Sequence, residues 1–233
     1  MAAVGFPSNS KTVTLPSGTT YVYVSIPKSE PSKSTILFFH GVRDYCPDLL
    51  GHGGTDKPDA LEAYIFKTMA ADINDLLTHE KIGKVDAMGH DFGSLFLSQV
   101  INYYPSRFLS ATFLAVPYAP AGIPKHSQEI LPPRRPNHIA PPPTWQTPTY
   151  VSTRSLIFSN SSFRGPTNWY RCRYGQHLGI QEEIDDKLDP QIPCRALFIE
   201  QNHKSVVRME SVSMRMQLFA KDLVTREVET TGH

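Results

Sequence analysis

The stretch from Lys84 to Tyr104 constrains the fold of this 233-residue chain more than any other. Lys84-Val85-Asp86-Ala87-Met88 reads as a short strand, and Gly89 to Ser94 as a tight turn. Leu95 to Tyr104 then reads as a helix that Pro105 ends. A strand that passes so quickly into a helix belongs to a sheet whose strands run parallel, with helices on its faces. The neighbouring segments keep the same rhythm. Thr19 to Ile26 is rich in β-branched and aromatic residues, and Thr35-Ile36-Leu37-Phe38-Phe39 is continuously apolar; both read as strands. Apolar residues at helical spacing (Leu61, Tyr64, Ile65, Met69, Ile73, Leu76) predict a helix over 60–79, stopped by Gly83. Further strands are expected at Ala111 to Val116 and, as the last of the sheet, at Arg195 to Glu200.

The turn itself carries the chemistry. In Gly89-His90-Asp91-Phe92-Gly93 the central residue is held on a strained bend above the end of the sheet, and small residues are needed on both sides. A serine in that place would attack esters. A carboxylate can instead attack an electrophilic carbon, leaving an alkyl ester that water must cleave. The plainer alternative is that Asp91 merely caps the helix. His40-Gly41, closing an apolar strand, is either a common turn or the start of an oxyanion site. In the second case the backbone N–H groups of Val42 and Phe92 would supply it.

Composition narrows the possible partners. Lys and Arg number 23 against 22 Asp and Glu, so no overall field draws nucleic acid or an acidic membrane. Cys46, Cys172 and Cys194 match neither a disulfide framework nor a metal motif. Met1 to Ser10 lacks the pattern of a secretory signal, and no later run is apolar enough to span a bilayer. A soluble, cytoplasmic protein is therefore expected, with no cofactor and no metal. Between Pro120 and Ser162 the prolines of 131–136 and 141–143 exclude a regular helix or inner strand. An extended insertion is expected there. Pro133 to Pro136 has the minimal spacing of a ligand for small adaptor domains, or is plain linker.

With these residues in place, the chain resembles the soluble epoxide hydrolase branch of the α/β hydrolases. Phe38-Phe39-His40-Gly41, then Pro47 to Pro58 (PDLLGHGGTDKP), then Gly89-His90-Asp91-Phe92-Gly93 fall in the family's order. The segment Phe163-Arg164-Gly165-Pro166-Thr167-Asn168-Trp169-Tyr170-Arg171 is similar to the part of the family's cap whose tyrosine hydrogen-bonds the epoxide oxygen. The resemblance implies Asp91 as nucleophile and Tyr170 as proton donor to the opening ring, unless Tyr170 only packs beneath a lid. It implies His233, in Thr230-Thr231-Gly232-His233, as activator of the hydrolytic water, unless that residue is a frayed end. An α/β-hydrolase fold is expected, a mostly parallel sheet flanked by helices. Its core would comprise residues 1–119 and 190–233, with a reduced, proline-rich cap over 120–189. The implied substrate is a small apolar epoxide.

Several positions depart from the family pattern. The loop after the strand ending at Glu200 reads Gln201-Asn202-His203-Lys204-Ser205, with Lys204 about where the family has the acid that orients its histidine. Glu200 is the nearby substitute. Only Gly41 to Cys46 separate His40 from Pro47, too few for a parallel crossover, so one strand should be shortened or lost. Tyr150 matches poorly to a second cap tyrosine, and the family's helix beyond the histidine has no counterpart. A shortened or truncated member is expected. A catalytically silent relative, a dehalogenase and an ester hydrolase stand as alternatives.

Overall fold

Residues 5–30, 32–40, 47–121, 164–174, 187–201 and 216–228 are described by the computed structural model. The first elements are β1 (Ser10–Thr14) and β2 (Thr20–Val24), an antiparallel hairpin in register from Ser10 opposite Val24 to Thr14 opposite Thr20. β2 is the strand expected from the sequence. β1 was hidden because most of its side chains face water, which leaves no alternating apolar signal.

Among the described residues the main sheet has five strands, all parallel, in the spatial order β3 (Thr35–His40), β4 (Val85–His90), β5 (Phe108–Leu114), β6 (Arg195–Gln201), β7 (Leu223–Val228). β7 corrects the expectation that the strand ending near Glu200 is the last. It lies at the sheet edge, where Arg226 and Glu227 face water, and so lacks the apolar run of an inner strand. At the opposite edge lies β3. The chain beyond it lines the hairpin instead: Asp48 N–H donates to Val22 O at 2.9 Å, and Asp56 N–H to Thr20 O at 3.0 Å. The buried Thr55 hydroxyl accepts the Val22 N–H at 3.0 Å. Six residues between His40 and Pro47 leave no room for a returning parallel strand.

Among the described residues, two helices form the layer on the sheet. The periodic segment expected to be one helix over 60–79 is a 3-10 turn, Leu61–Tyr64, followed by α1 (Phe66–His79). The break falls at Ile65, which is extended (φ −64°, ψ 129°). It allows Tyr64 and Phe66 both to be buried, whereas positions two apart in a continuous helix point roughly 200° from one another. α2 (Phe92–Tyr103) begins three residues earlier than expected and is buried on nearly every side, between α1 and the sheet. Beneath it, Leu37, Phe39, Ala87, Gly89, Ala111, Phe113, Ala196 and Phe198 share one sheet face through the register of four strands. Phe96 of α2 meets Phe39 edge-on at 5.3 Å. Each large side chain so buried contributes about 1.5–3 kcal/mol.

α3 (Arg164–Tyr174) lies within the segment expected to be a reduced cap. Residues 122–163 and 175–186 of that segment, with the proline runs and Tyr150, lie outside the described residues.

Candidate active site

The end of β4 sets the site. Asp91 stands at the junction of β4 and α2 with φ 53° and ψ −124°, a conformation that costs a residue with a side chain about 1–3 kcal/mol. It occupies the N-cap position without making a side-chain capping bond, so the reading of Asp91 as a simple cap does not hold. The surrounding backbone over-determines the bend. Asp91 N–H donates to Leu114 O at 3.3 Å, and Ser94 N–H returns to Asp91 O at 3.0 Å. The buried Ser94 hydroxyl donates to Gly89 O at 2.8 Å and also faces Leu114 O at 3.3 Å.

Glycine at 89 is required by close approach. A Cβ there would stand 2.7 Å from both Gly93 O and Ser94 Cα, and 2.8 Å from Ser94 N. The strand therefore touches the helix start with no room for a methyl group. Leu114 O, which receives Asp91, is itself aimed by a tight turn: Ala115 has φ 61°, its N–H donates to Ile199 O at 3.1 Å, and Val116 N–H donates to Leu114 O at 2.7 Å. Sequence reasoning missed Ser94 and Ala115. The serine could have been noticed as a small hydroxyl one residue past the turn; nothing in the sequence marks Ala115.

Of the other residues singled out, Tyr170 is brought to the turn. It lies on α3, is 53 % exposed, and its ring meets that of Phe92 edge-on with centroids 5.0 Å apart. Phe92, whose amide is the first of α2 and has no acceptor within the helix, is thus held between Tyr170 and Trp169, the latter at 5.4 Å. His40 and His90 pair across β3 and β4, and Gly93 is buried in the first turn of α2. Gly41, Val42, Lys204 and His233 lie outside the described residues.

Glu200, the last but one residue of β6, stands two strands from Asp91 at the same height, since His90, Leu114 and Ile199 are in register one residue earlier. Strand spacing puts the two backbones roughly 10 Å apart. Burial, and then the neighbouring Glu227 on β7, push the Glu200 carboxyl above the usual range. Its Oε1 is buried with no hydrogen-bond partner among the described residues. A desolvated carboxyl of this kind gains from an N–H donor at that edge of the sheet. Among the described residues, no group of three or more His, Cys, Asp or Glu side chains is placed to hold a metal. No helix among them is long and apolar enough to cross a membrane.

Comparison with known proteins follows the same lines. A family model described as the alpha/beta hydrolase fold matches residues 32–153, just over half of the chain. Epoxide hydrolase A of Mycobacterium tuberculosis is 30 % identical over 80 residues, and epoxide hydrolase 3 of Siraitia grosvenorii 31 % over 80. Each alignment covers 34 % of this chain and 25 % of the relative, so the chain spans about a quarter of the length of the curated relatives it matches. In structure, it superposes on epoxide hydrolase A from Mycobacterium thermoresistibile with TM-score 0.72 at 19 % identity, covering 96 % of this chain and 92 % of the other. An epoxide hydrolase from an endophytic Streptomyces gives TM-score 0.75 at 18 % identity, with 96 % and 89 % covered. At such identities the likeness concerns the fold.

Proposed function

Because the chain belongs to the α/β-hydrolase fold family, we propose that it opens small apolar epoxides to diols through an aspartyl ester. The observation that carries this reading is a carboxylate, rather than a hydroxyl, on the strained turn, with the Tyr170 ring packed against the next residue. In the first step an Asp91 oxygen bonds to an epoxide carbon while the C–O bond breaks, and the released oxygen takes the Tyr170 proton. In the second, His233 takes a proton from water, whose oxygen adds to the ester carbonyl. The Val42 and Phe92 amides hold the resulting oxyanion until the diol leaves and the carboxylate is restored, and the His233 imidazolium returns its proton to the Tyr170 phenolate. Glu200 serves as the acid that orients His233. No cofactor or metal takes part in the scheme.

A single turnover in oxygen-18 water tests the covalent route. The label is expected in the Asp91 carboxylate and absent from the first diol, whereas label in that diol with an unlabelled Asp91 means direct attack by water. Asp91→Asn is expected to abolish turnover. A catalytically silent relative is the second reading, favoured by Lys204 where the family has its acid. It predicts no alkyl-enzyme with any epoxide. Halide release, or ester turnover that survives Tyr170→Phe, would favour the dehalogenase or esterase alternative.

A further inference from the structure

α3 is held to the core by one stripe. Gly165, Asn168, Trp169 and Cys172 are buried, at the spacing i, i+3, i+4, i+7 of a single helix face. Tyr170 lies beside that stripe, roughly 100° around the helix, so its height above the turn depends on where the stripe is fixed. Two of its contacts, one helical turn apart, land on adjacent residues of one loop. At the first, the backbones of Gly165 and Gly51 touch. A Cβ at Gly51, whose φ is +85°, would stand 2.9 Å from Gly165 Cα, and a Cβ at Gly165 would overlap Gly51 O and stand 2.6 Å from its Cα. At the second, the indole N–H of Trp169, 4 % exposed, donates to Leu50 O at 2.7 Å. The loop is itself rigid: Leu50 is buried, Gly51 N–H donates to Asp56 O at 2.8 Å, and the ring of His52 meets Trp169 edge-on at 5.9 Å.

The Trp169 ring also reaches the helix that carries the turn. It lies 5.3 Å from Phe96 and 5.4 Å from Phe92, and 6.1 Å from Phe66 of α1. A slip of α3 by one residue, about 1.5 Å, would break the indole bond and drive the two glycine backbones out of contact. We propose that Trp169 is a positioning residue which, through its indole N–H on Leu50 O and its ring on Phe92, sets the Tyr170 phenol over the Asp91 turn. This rests on the reading of Tyr170 as proton donor.

Trp169→Phe keeps an aromatic ring and removes the N–H. With styrene oxide as probe in single-turnover kinetics, formation of the alkyl-enzyme is expected to slow about 10–100-fold, the scale of a 1 Å misplacement. Hydrolysis of the ester, which uses no phenol, is expected to change less than about threefold by the same reasoning. A residue acting through Tyr170 has nothing left to act on in Tyr170→Phe, so adding Trp169→Phe to that variant should cost no more. Full additivity, or equal slowing of both steps, overturns the proposal. A second readout needs no catalysis: in protein labelled with 3-fluorotyrosine, the Tyr170 resonance, assigned by its loss in Tyr170→Phe, should move towards the free amino acid in Trp169→Phe. An unmoved resonance overturns the anchor even where rates fall. If the wild type forms no alkyl-enzyme, the proton-donor reading fails, and the fluorine shift alone decides whether Trp169 holds the ring. Should Trp169→Phe fail to fold, Gly165→Ala displaces the helix at its other contact and is expected to give the same pattern.

Discussion

Replacing Gly89 with alanine tests whether the turn is as tight as its geometry demands. The added methyl carbon would lie 2.7 Å from Gly93 O, 2.7 Å from Ser94 Cα and 2.8 Å from Ser94 N, all backbone atoms of the first turn of α2. Carbon contacts relax at about 3.5 Å or more, so each is roughly 0.8 Å too short. No side chain can swing away, and α2 must lift from β4. Overpacking of this kind costs about 1–3 kcal/mol, against which alanine regains about 0.5–1 kcal/mol of backbone entropy in the unfolded chain. At the midpoints of these ranges the net loss is about 1 kcal/mol, or a Tm lower by roughly 2–5 °C for a chain of this size. Lifting the helix start also moves Asp91 and the Phe92 amide together, and a shift near 1 Å is worth about a hundredfold in rate. Thermal unfolding and single-turnover alkylation measure the two effects separately. An alanine variant as stable as the wild type would refute the claim that strand and helix are in backbone contact, whatever its activity.

Two further perturbations follow from the same structure. Asp91→Gly removes a side chain from φ 53°, ψ −124°, releasing about 1–3 kcal/mol of strain against about 0.5–1 kcal/mol of added chain entropy. The variant should therefore unfold at higher urea concentration while forming no alkyl-enzyme, and an unchanged or lower urea midpoint counts against strain at the turn. Asp72 is 1 % exposed on α1, and burial raises its carboxyl above the usual range despite hydrogen bonds from Ser17 and Tyr21. Its folded pKa lies above its unfolded value of about 3.9, so the folded protein keeps a proton that the unfolded chain releases. The wild type should lose stability as pH rises from about 4 through the raised pKa, and Asp72→Asn should flatten that slope in urea titrations across pH; an unaltered slope contradicts the assignment.

Legibility along the chain followed burial. β3 was readable because its run from Ile36 to Phe39 is apolar and buries Leu37 and Phe39 against α2, β4 because Val85 and Ala87 alternate into the core, and α1 because one apolar face recurs at helical spacing. β1 and β7 were not, because strands whose side chains mostly face water carry no such run. The break at Ile65 was equally hidden, since Tyr64 and Phe66 both look like helix core until the tertiary packing asks for both.

At the site, the linear pattern determined the type of chemistry. Gly89, Asp91 and Gly93 are close neighbours along the chain, so their spacing alone specifies a bend that only small flanking residues permit. What the pattern could not determine was every relation between distant segments. The Leu114 carbonyl that receives the Asp91 amide comes from 23 residues away, and the Leu50 carbonyl that receives the Trp169 indole from 119. A single hydrogen-bonded carbonyl places no demand on residue type, and so it leaves no mark in a sequence. Only the folded chain brings it into reach.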